Sequence, residues 1–148
     1  PDEDYVLPLG KGTIAQYAED QSIELGDSCV VITYGMGVHW ALNASKDFKN
    51  QVEIVDLRCL NPLDLELVME RVKLHGKALV LTEETLDNSF AESLAGRIAS
   101  QCFTHLDAPV EIMGSANTPA IPLNSVLEYT MLPSIEGVKD RLERLLAY

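Results

Sequence analysis

The first residues of this chain that suggest ligand binding are two glycines, Gly35 and Gly37, placed between an apolar run and an amphipathic segment. Free backbone N–H groups at the start of a helix can bind an anion. Trp40 replaces the third glycine of a dinucleotide-binding fingerprint, and Asp56 is only a weak match for the acidic residue expected after the second strand. A tight turn that requires glycine therefore explains the pair better than nucleotide binding does.

The other titratable residues form no recognisable catalytic or metal-binding pattern. Glu83 and Glu84 follow an apolar run, and neighbouring side chains in extended backbone point to opposite sides. That geometry suits a helix-start or interface charge better than an acid–base pair. The histidines and cysteines lack metal-ligand spacing; they are His39, His75, His105, Cys29, Cys59 and Cys102. We therefore predict a domain that is non-catalytic alone, with no catalytic, cofactor-binding or metal-binding residue of its own.

Apolar runs of strand length alternate along the chain with segments of helical period. The runs cover residues 29–34, 52–57, 78–82 and 110–113, and the helical segments begin near residues 38, 65, 90 and 135. The runs at 29–34 and 78–82 are continuously apolar, which indicates strands buried on both faces of a parallel sheet. We expect an α/β fold: an open, mostly parallel, doubly wound sheet of about five strands with helices on both faces.

Local signals refine this organisation. Asp64 is placed to cap the second predicted helix, and Ser89 and Glu92 form a capping box at the third. Residues 1–27 contain seven acidic residues and one Lys, and we interpret them as a linker followed by an irregular or edge-strand segment. Residues 28–148 then form the α/β domain. Within it, three prolines and small polar residues predict a long surface connection over residues 114–133.

Composition restricts the class of partner and the compartment. A formal net charge of -12, from 11 Lys+Arg and 23 Asp+Glu, disfavours nucleic acid and anionic membranes and favours a basic protein module. No apolar run reaches the roughly 20 residues that span a bilayer, and no signal peptide is recognisable. Three widely spaced cysteines indicate a reducing compartment, either the bacterial cytoplasm or the mitochondrial matrix. The missing initial Met suggests the C-terminal piece of a longer protein.

Several stretches, taken in order, resemble a known superfamily. Those similar to the C-terminal domain of the transketolase-like superfamily are PLGKG at 8–12, VITYGMGV at 31–38 and VDLRCLNPLD at 55–64. Those most similar to the beta subunits of pyruvate and branched-chain 2-oxo acid dehydrogenases are LDAPV at 106–110, TP at 118–119 and LLAY at 145–148. Each stretch alone is a weak motif, whereas their order and spacing together are specific.

The resemblance implies the C-terminal assembly and docking domain of a thiamine-diphosphate-dependent 2-oxo acid dehydrogenase. Enzymes of this family oxidatively decarboxylate pyruvate or branched-chain 2-oxo acids and pass the acyl group to lipoyl groups. Their thiamine diphosphate and Mg²⁺ lie outside this domain. The implied partners are the alpha subunit or domain, the beta N-terminal domain, and the basic subunit-binding domain of the acyltransferase core. The resemblance assigns the last contact to Asp107 and to the terminal carboxylate of Tyr148.

Alternatives remain open at this point. The equivalent domain of 1-deoxyxylulose-5-phosphate synthase or transketolase would share the early motifs but explains residues 106–110 less well. A free-standing anion- or nucleotide-binding α/β module would use the Gly35 and Gly37 turn. Asp107 could instead be a turn residue that caps local backbone, and Tyr148 a frayed terminus.

Overall fold

The structure is a computed structural model that describes residues 5–48 and 50–148. Five strands form one sheet: β1 Thr13–Gln16, β2 Cys29–Thr33, β3 Val52–Asp56, β4 Ala78–Thr85 and β5 Glu111–Ser115. Their order across the sheet is β1-β3-β2-β4-β5. Strands β2 to β5 pair parallel with one another, whereas β1 pairs antiparallel with β3 at one edge. The predicted open, mostly parallel sheet is confirmed.

Helices cover both faces of this sheet, as predicted. They are α1 Asp20–Glu24, α2 Met36–Ala44, α3 Leu65–His75, α4 Phe90–Gln101, α5 Ser125–Met131 and α6 Ile135–Leu146. Helices α2 and α6 share one buried apolar cluster with the sheet, and α3 and α4 share the other. Among the described residues, no helix combines the length and the apolar character needed to cross a membrane.

Strand β2 lies at the centre of both clusters. Side chains alternate along a strand, so Val31 packs with α2 and α6 while Val30 and Ile32 pack with α3 and α4. All five β2 residues are buried. Each large apolar side chain buried in this way contributes about 1.5–3 kcal/mol, which explains why the strand is apolar without alternation.

Two predicted caps are present. Asp64 accepts a hydrogen bond from the Leu67 N–H at 3.4 Å, and Ser89 Oγ accepts one from the Glu92 N–H at 3.1 Å. The capping box differs in one detail, because the Glu92 carboxylate accepts from the N–H of Asn88 instead of the N–H of Ser89. Local sequence signals thus define the starts of α3 and α4.

The segment at 114–133 departs from the sequence prediction of a simple surface connection, because it contains α5. The Asn124 side chain caps this helix and accepts from the N–H groups of Val126 and Leu127. Met131 is the one buried residue of α5, so the helix presents no apolar stripe to the core. Without that stripe, sequence periodicity could not reveal the helix.

The segment before residue 28 contains β1 and α1, and the Gln16 side chain donates a hydrogen bond to the Val52 carbonyl at 2.9 Å. This region therefore extends the sheet by one edge strand. The predicted boundary between residues 27 and 28 stays a prediction. Residues 1–4, which the sequence assigns to the linker, lie outside the described residues.

A buried polar cluster, the Glu53 cluster, comprises Glu53, Arg71, His75 and Ser28. The Arg71 guanidinium donates to both carboxylate oxygens of Glu53. His75 Nε2 lies 3.4 Å from Glu53 Oε1, and its Nδ1 lies 2.7 Å from Ser28 Oγ. Burial raises the pKa of Glu53, but the contacts with His75 and Arg71 outweigh burial, so the pKa is lowered. Glu53 is therefore ionised inside the fold and depends on its partners.

Replacing Arg71 tests this dependence. The substitution Arg71→Ala leaves the fully buried Glu53 carboxylate with His75 alone, and we expect the free energy of unfolding to fall by about 3 kcal/mol. Urea denaturation measures the loss. The control is Glu70→Ala, since the Glu70 side chain is 66% exposed and its contact with Arg71 is worth about 0.5 kcal/mol or less. Equal losses in both variants would contradict the buried ion pair.

Candidate functional site

The amino edge of the sheet, where the parallel strands β2 to β5 begin, contains both residues that the resemblance assigned to docking. Asp107 lies shortly before β5, and Tyr148 follows α6, which packs against β2, β4 and β5. Arg141 and Arg144, near the end of α6, form salt bridges with Glu111, the first residue of β5. The end of α6 and the start of β5 therefore meet at this edge. Asp107 and Tyr148 therefore both lie toward this edge, although α6 and α3 cover opposite faces of the sheet.

The Asp107 carboxylate lies against the end of α3. Its backbone N–H donates to the Gly76 carbonyl at 2.8 Å, which holds residue 107 in place. Gly76 ends α3 with a φ of 68°, and a Cβ on it would lie 2.0 Å from Asp107 Oδ2. The carboxylate thus sits where the helix dipole is negative, an unfavourable location for an anion.

Asp107 also lacks a partner within the described part of the chain. Over residues 5–48 and 50–148, no donor forms a hydrogen bond with its carboxylate, and no cation forms a salt bridge with it. The alternative that its side chain caps local backbone is therefore not observed, because the backbone N–H makes the local bond instead. Asp107 is exposed while the next residue, Ala108, is buried. The result is an accessible carboxylate fixed in position and available to an external cation.

An apolar groove opens beside Asp107 and was not predicted from the sequence. Its volume is about 560 Å³. The lining includes Ala95, Gly96 and Ala99 of α4, together with Phe103, Leu106 and Asp107. Phe103 is 77% exposed, although large aromatic side chains are usually covered. We call this feature the Gly96 groove.

Gly96 itself is unexplained by the fold. It lies inside α4, and a Cβ added there would meet no atom within 4 Å. Glycine inside a helix costs about 1 kcal/mol relative to alanine. The sequence therefore contained one signal of the groove, a helix-destabilising glycine close to Ala95 and Ala99. That signal could be interpreted only once the structure had placed residues 103–110 beside α4.

The carboxyl edge of the sheet, where the parallel strands end, offers fewer free N–H donors for an anion than the Gly35 and Gly37 pair suggests. The N–H groups of Gly37 and Val38 donate to the carbonyl oxygens of Tyr34 and Gly35, at 3.1 and 3.3 Å. A Cβ on Gly37 would lie 2.0 Å from Thr33 Oγ1, so close packing requires glycine there. Two of the donors that an anion would use are therefore already paired, which favours the tight-turn interpretation.

Two of the remaining candidates, Glu84 and His75, have structural roles. Glu84 accepts from the Ala91 N–H at 3.3 Å in the first turn of α4, which agrees with the predicted helix-start charge. His39 is exposed, and His75 belongs to the Glu53 cluster. Within residues 5–48 and 50–148, no group of three or more His, Cys, Asp or Glu side chains is arranged to hold a metal ion.

The three cysteines differ in accessibility. Burial raises the pKa of Cys29 to about 12, although Lys77 lowers it slightly, and burial also raises the pKa of Cys102. Cys59 is half-buried. Because the thiolate is the reactive form, Cys29 and Cys102 are unsuited to act as nucleophiles.

Thiol titration with Ellman's reagent tests this difference. At neutral pH we expect one rapid reaction, at Cys59, and reaction of Cys29 and Cys102 only after unfolding. Cys59→Ser should abolish the rapid phase and leave the two slow thiols. Rapid modification of Cys29 in the native chain, located by peptide mapping, would contradict the burial described above.

Fold and candidate site together define a doubly wound α/β domain with an exposed carboxylate, Asp107, beside an apolar groove. The family described as "Transketolase, C-terminal domain" matches residues 18–138. This chain belongs to that family, and the family predicted from the sequence motifs is confirmed.

Proteins of similar sequence include beta subunits of 2-oxo acid dehydrogenases. The chain is 33% identical to the 2-oxoisovalerate dehydrogenase subunit beta of Bacillus subtilis (strain 168), over 98% of this chain and 43% of that protein. It is 31% identical to the pyruvate dehydrogenase E1 component subunit beta of Rhizobium meliloti (strain 1021), over 95% and 29% respectively. The chain thus spans less than half the length of these relatives.

A solved structure of similar fold is a split-gene transketolase, described as an inactive beta4 tetramer. It superimposes with a TM-score of 0.74 over 99% of this chain and 45% of that chain, at 18% sequence identity. This similarity establishes the fold.

Proposed function

We propose that this chain is the C-terminal assembly and docking domain of a thiamine-diphosphate-dependent 2-oxo acid dehydrogenase. The proposal is supported by similarity to beta subunits named for 2-oxoisovalerate and pyruvate dehydrogenases. The whole protein would oxidatively decarboxylate such acids and transfer the acyl group to lipoyl groups, in the cytoplasm or the mitochondrial matrix. The alpha subunit or domain and the beta N-terminal domain are its proposed assembly partners.

The described residues, 5–48 and 50–148, do not fit the cofactors of that reaction. The described residues offer no cluster of metal-binding side chains for Mg²⁺. The N–H groups of Gly37 and Val38, at the start of α2, already donate to backbone carbonyls instead of facing a diphosphate. We therefore assign thiamine diphosphate and Mg²⁺ to parts of the enzyme outside this chain.

One observation supports docking most directly: the exposed Asp107 carboxylate has no cation or donor partner among the described residues and lies at the negative end of α3. A Lys or Arg from a partner would form charge-assisted hydrogen bonds with it and relieve the unfavourable dipole interaction. The net charge of -12 would also accelerate the approach of a basic module. The proposed partner is the basic subunit-binding domain of the acyltransferase core, with Tyr148 as a second contact.

Calorimetric titration with the cognate subunit-binding domain tests this proposal. Asp107→Asn should weaken binding by about ten- to hundredfold, because one charge-assisted contact is lost. The thermal midpoint should stay the same or rise slightly, since an anion is removed from a helix C-terminus. Wild-type binding should weaken with added salt, and Asp107→Asn should show the smaller salt dependence.

The matched control is Glu128→Gln, which makes the same charge change on exposed α5. Its binding should remain within about twofold of wild type, because α5 lies toward the opposite edge of the sheet. Equal weakening by both substitutions would attribute the attraction to net charge alone. Absence of binding by the folded wild-type chain at low and at high salt would reject docking.

A further inference from the structure

We infer that the Gly96 groove is the second half of the docking site and that it binds a large apolar side chain of the same basic partner. The inference rests on the proposed docking function, and it adds a subsite that Asp107 alone does not provide. An interface needs a desolvated apolar anchor for affinity, while a charge at its rim mainly contributes specificity and rate. The groove and Asp107 have these two complementary properties.

Gly96 provides the first argument for this assignment. Its backbone has no need of glycine, since a Cβ there would meet nothing within 4 Å. A side chain at residue 96 would, however, enter the groove, because residue 96 is part of its lining. The helix thus keeps a destabilising residue at a position where a side chain would fill this space, and its two other lining residues, Ala95 and Ala99, are also small.

Phe103 provides the second argument. It begins the short turn that directly follows α4, it lines the groove, and 77% of its surface is exposed. An exposed aromatic residue that walls an apolar cavity is typical of a binding surface, where aromatic residues are enriched. A Leu, Ile, Met or Phe of the partner that packs against Phe103 would bury both its own side chain and the Phe103 ring.

Charge identifies the occupant. Of the residues that line the groove, Asp107 alone is ionisable. A matching segment therefore carries a Lys or Arg for Asp107 and, within about one helical turn, a large apolar residue for the groove. A second copy of this chain fits poorly, since each copy carries a net charge of -12 and would bring another Asp107 to the contact.

Substitutions at Gly96 test the inference with the cognate subunit-binding domain as the titrant. Gly96→Ala should raise the thermal midpoint by about 2–4 °C, because alanine favours the helix. The same substitution should weaken binding by about three- to tenfold, and Gly96→Leu by more than about tenfold, as the groove fills. Ser93→Leu is the matched control: it adds the same exposed side chain to α4 outside the groove and should leave affinity within about twofold.

Salt dependence separates the two halves of the site. The slope of affinity against salt should be the same for Gly96→Leu and wild type, because the Asp107 contact is intact, whereas Asp107→Asn reduces it. If Asp107→Asn weakens binding but Gly96→Leu does not, docking stands and the groove is excluded. If neither substitution matters, the proposed function fails as well.

Sedimentation of the free chain tests the other possible occupant of the Gly96 groove, a second copy of this chain. A wild-type dimer that Gly96→Leu dissociates would show that a second copy fills the groove, which would overturn the inference. An unchanged sedimentation profile, together with weakened binding to the basic domain, supports it.

Discussion

Burial of the central strand β2 on both faces is the constraint on which the rest of this structure depends. All five of its residues are inaccessible to solvent, so helices must cover the sheet on each side. A sheet covered in this way leaves only its amino edge, its carboxyl edge and the outer surfaces of its helices for function. The location of any binding site is therefore restricted before its chemistry is considered.

The two edges of the sheet are used differently. Open α/β folds usually bind ligands at the carboxyl ends of their strands, but here the glycine turn at residues 35–37 uses its N–H groups for local packing. The amino edge instead presents the unpaired Asp107 carboxylate and the Gly96 groove. Under the proposed function, a common fold would support protein docking at the edge that is usually structural, in agreement with the rule that function belongs to sites and not to folds.

Much of the fold could be predicted because its signals are local. The apolar runs at residues 29–34 and 78–82 predicted buried strands, and the caps Asp64 and Ser89 marked two helix starts. The Glu53 cluster could not be predicted, because its members are far apart in sequence and a strand Glu is normally exposed. Helix α5 was missed for the opposite reason, since nearly all its apolar side chains face solvent.

In the candidate site, too, some features could be predicted from the sequence and others depended on contacts between distant residues. The docking role of Asp107 was predicted through family resemblance and stays a prediction, since nothing in its local sequence distinguishes it from a turn residue. Its lack of a partner and its position beside Gly76 required coordinates. The groove depends on contacts between α4 and residues 103–110, so periodicity could not reveal it.

Hydrogen–deuterium exchange of this chain, with and without the cognate subunit-binding domain, tests the central claim most directly because it locates the contact without any substitution. Docking at the amino edge predicts slower exchange in residues 95–110 and 140–148, with no change in residues 34–39 and 83–89. Slower exchange confined to residues 34–39 and 83–89 would place the partner at the carboxyl edge and contradict the account.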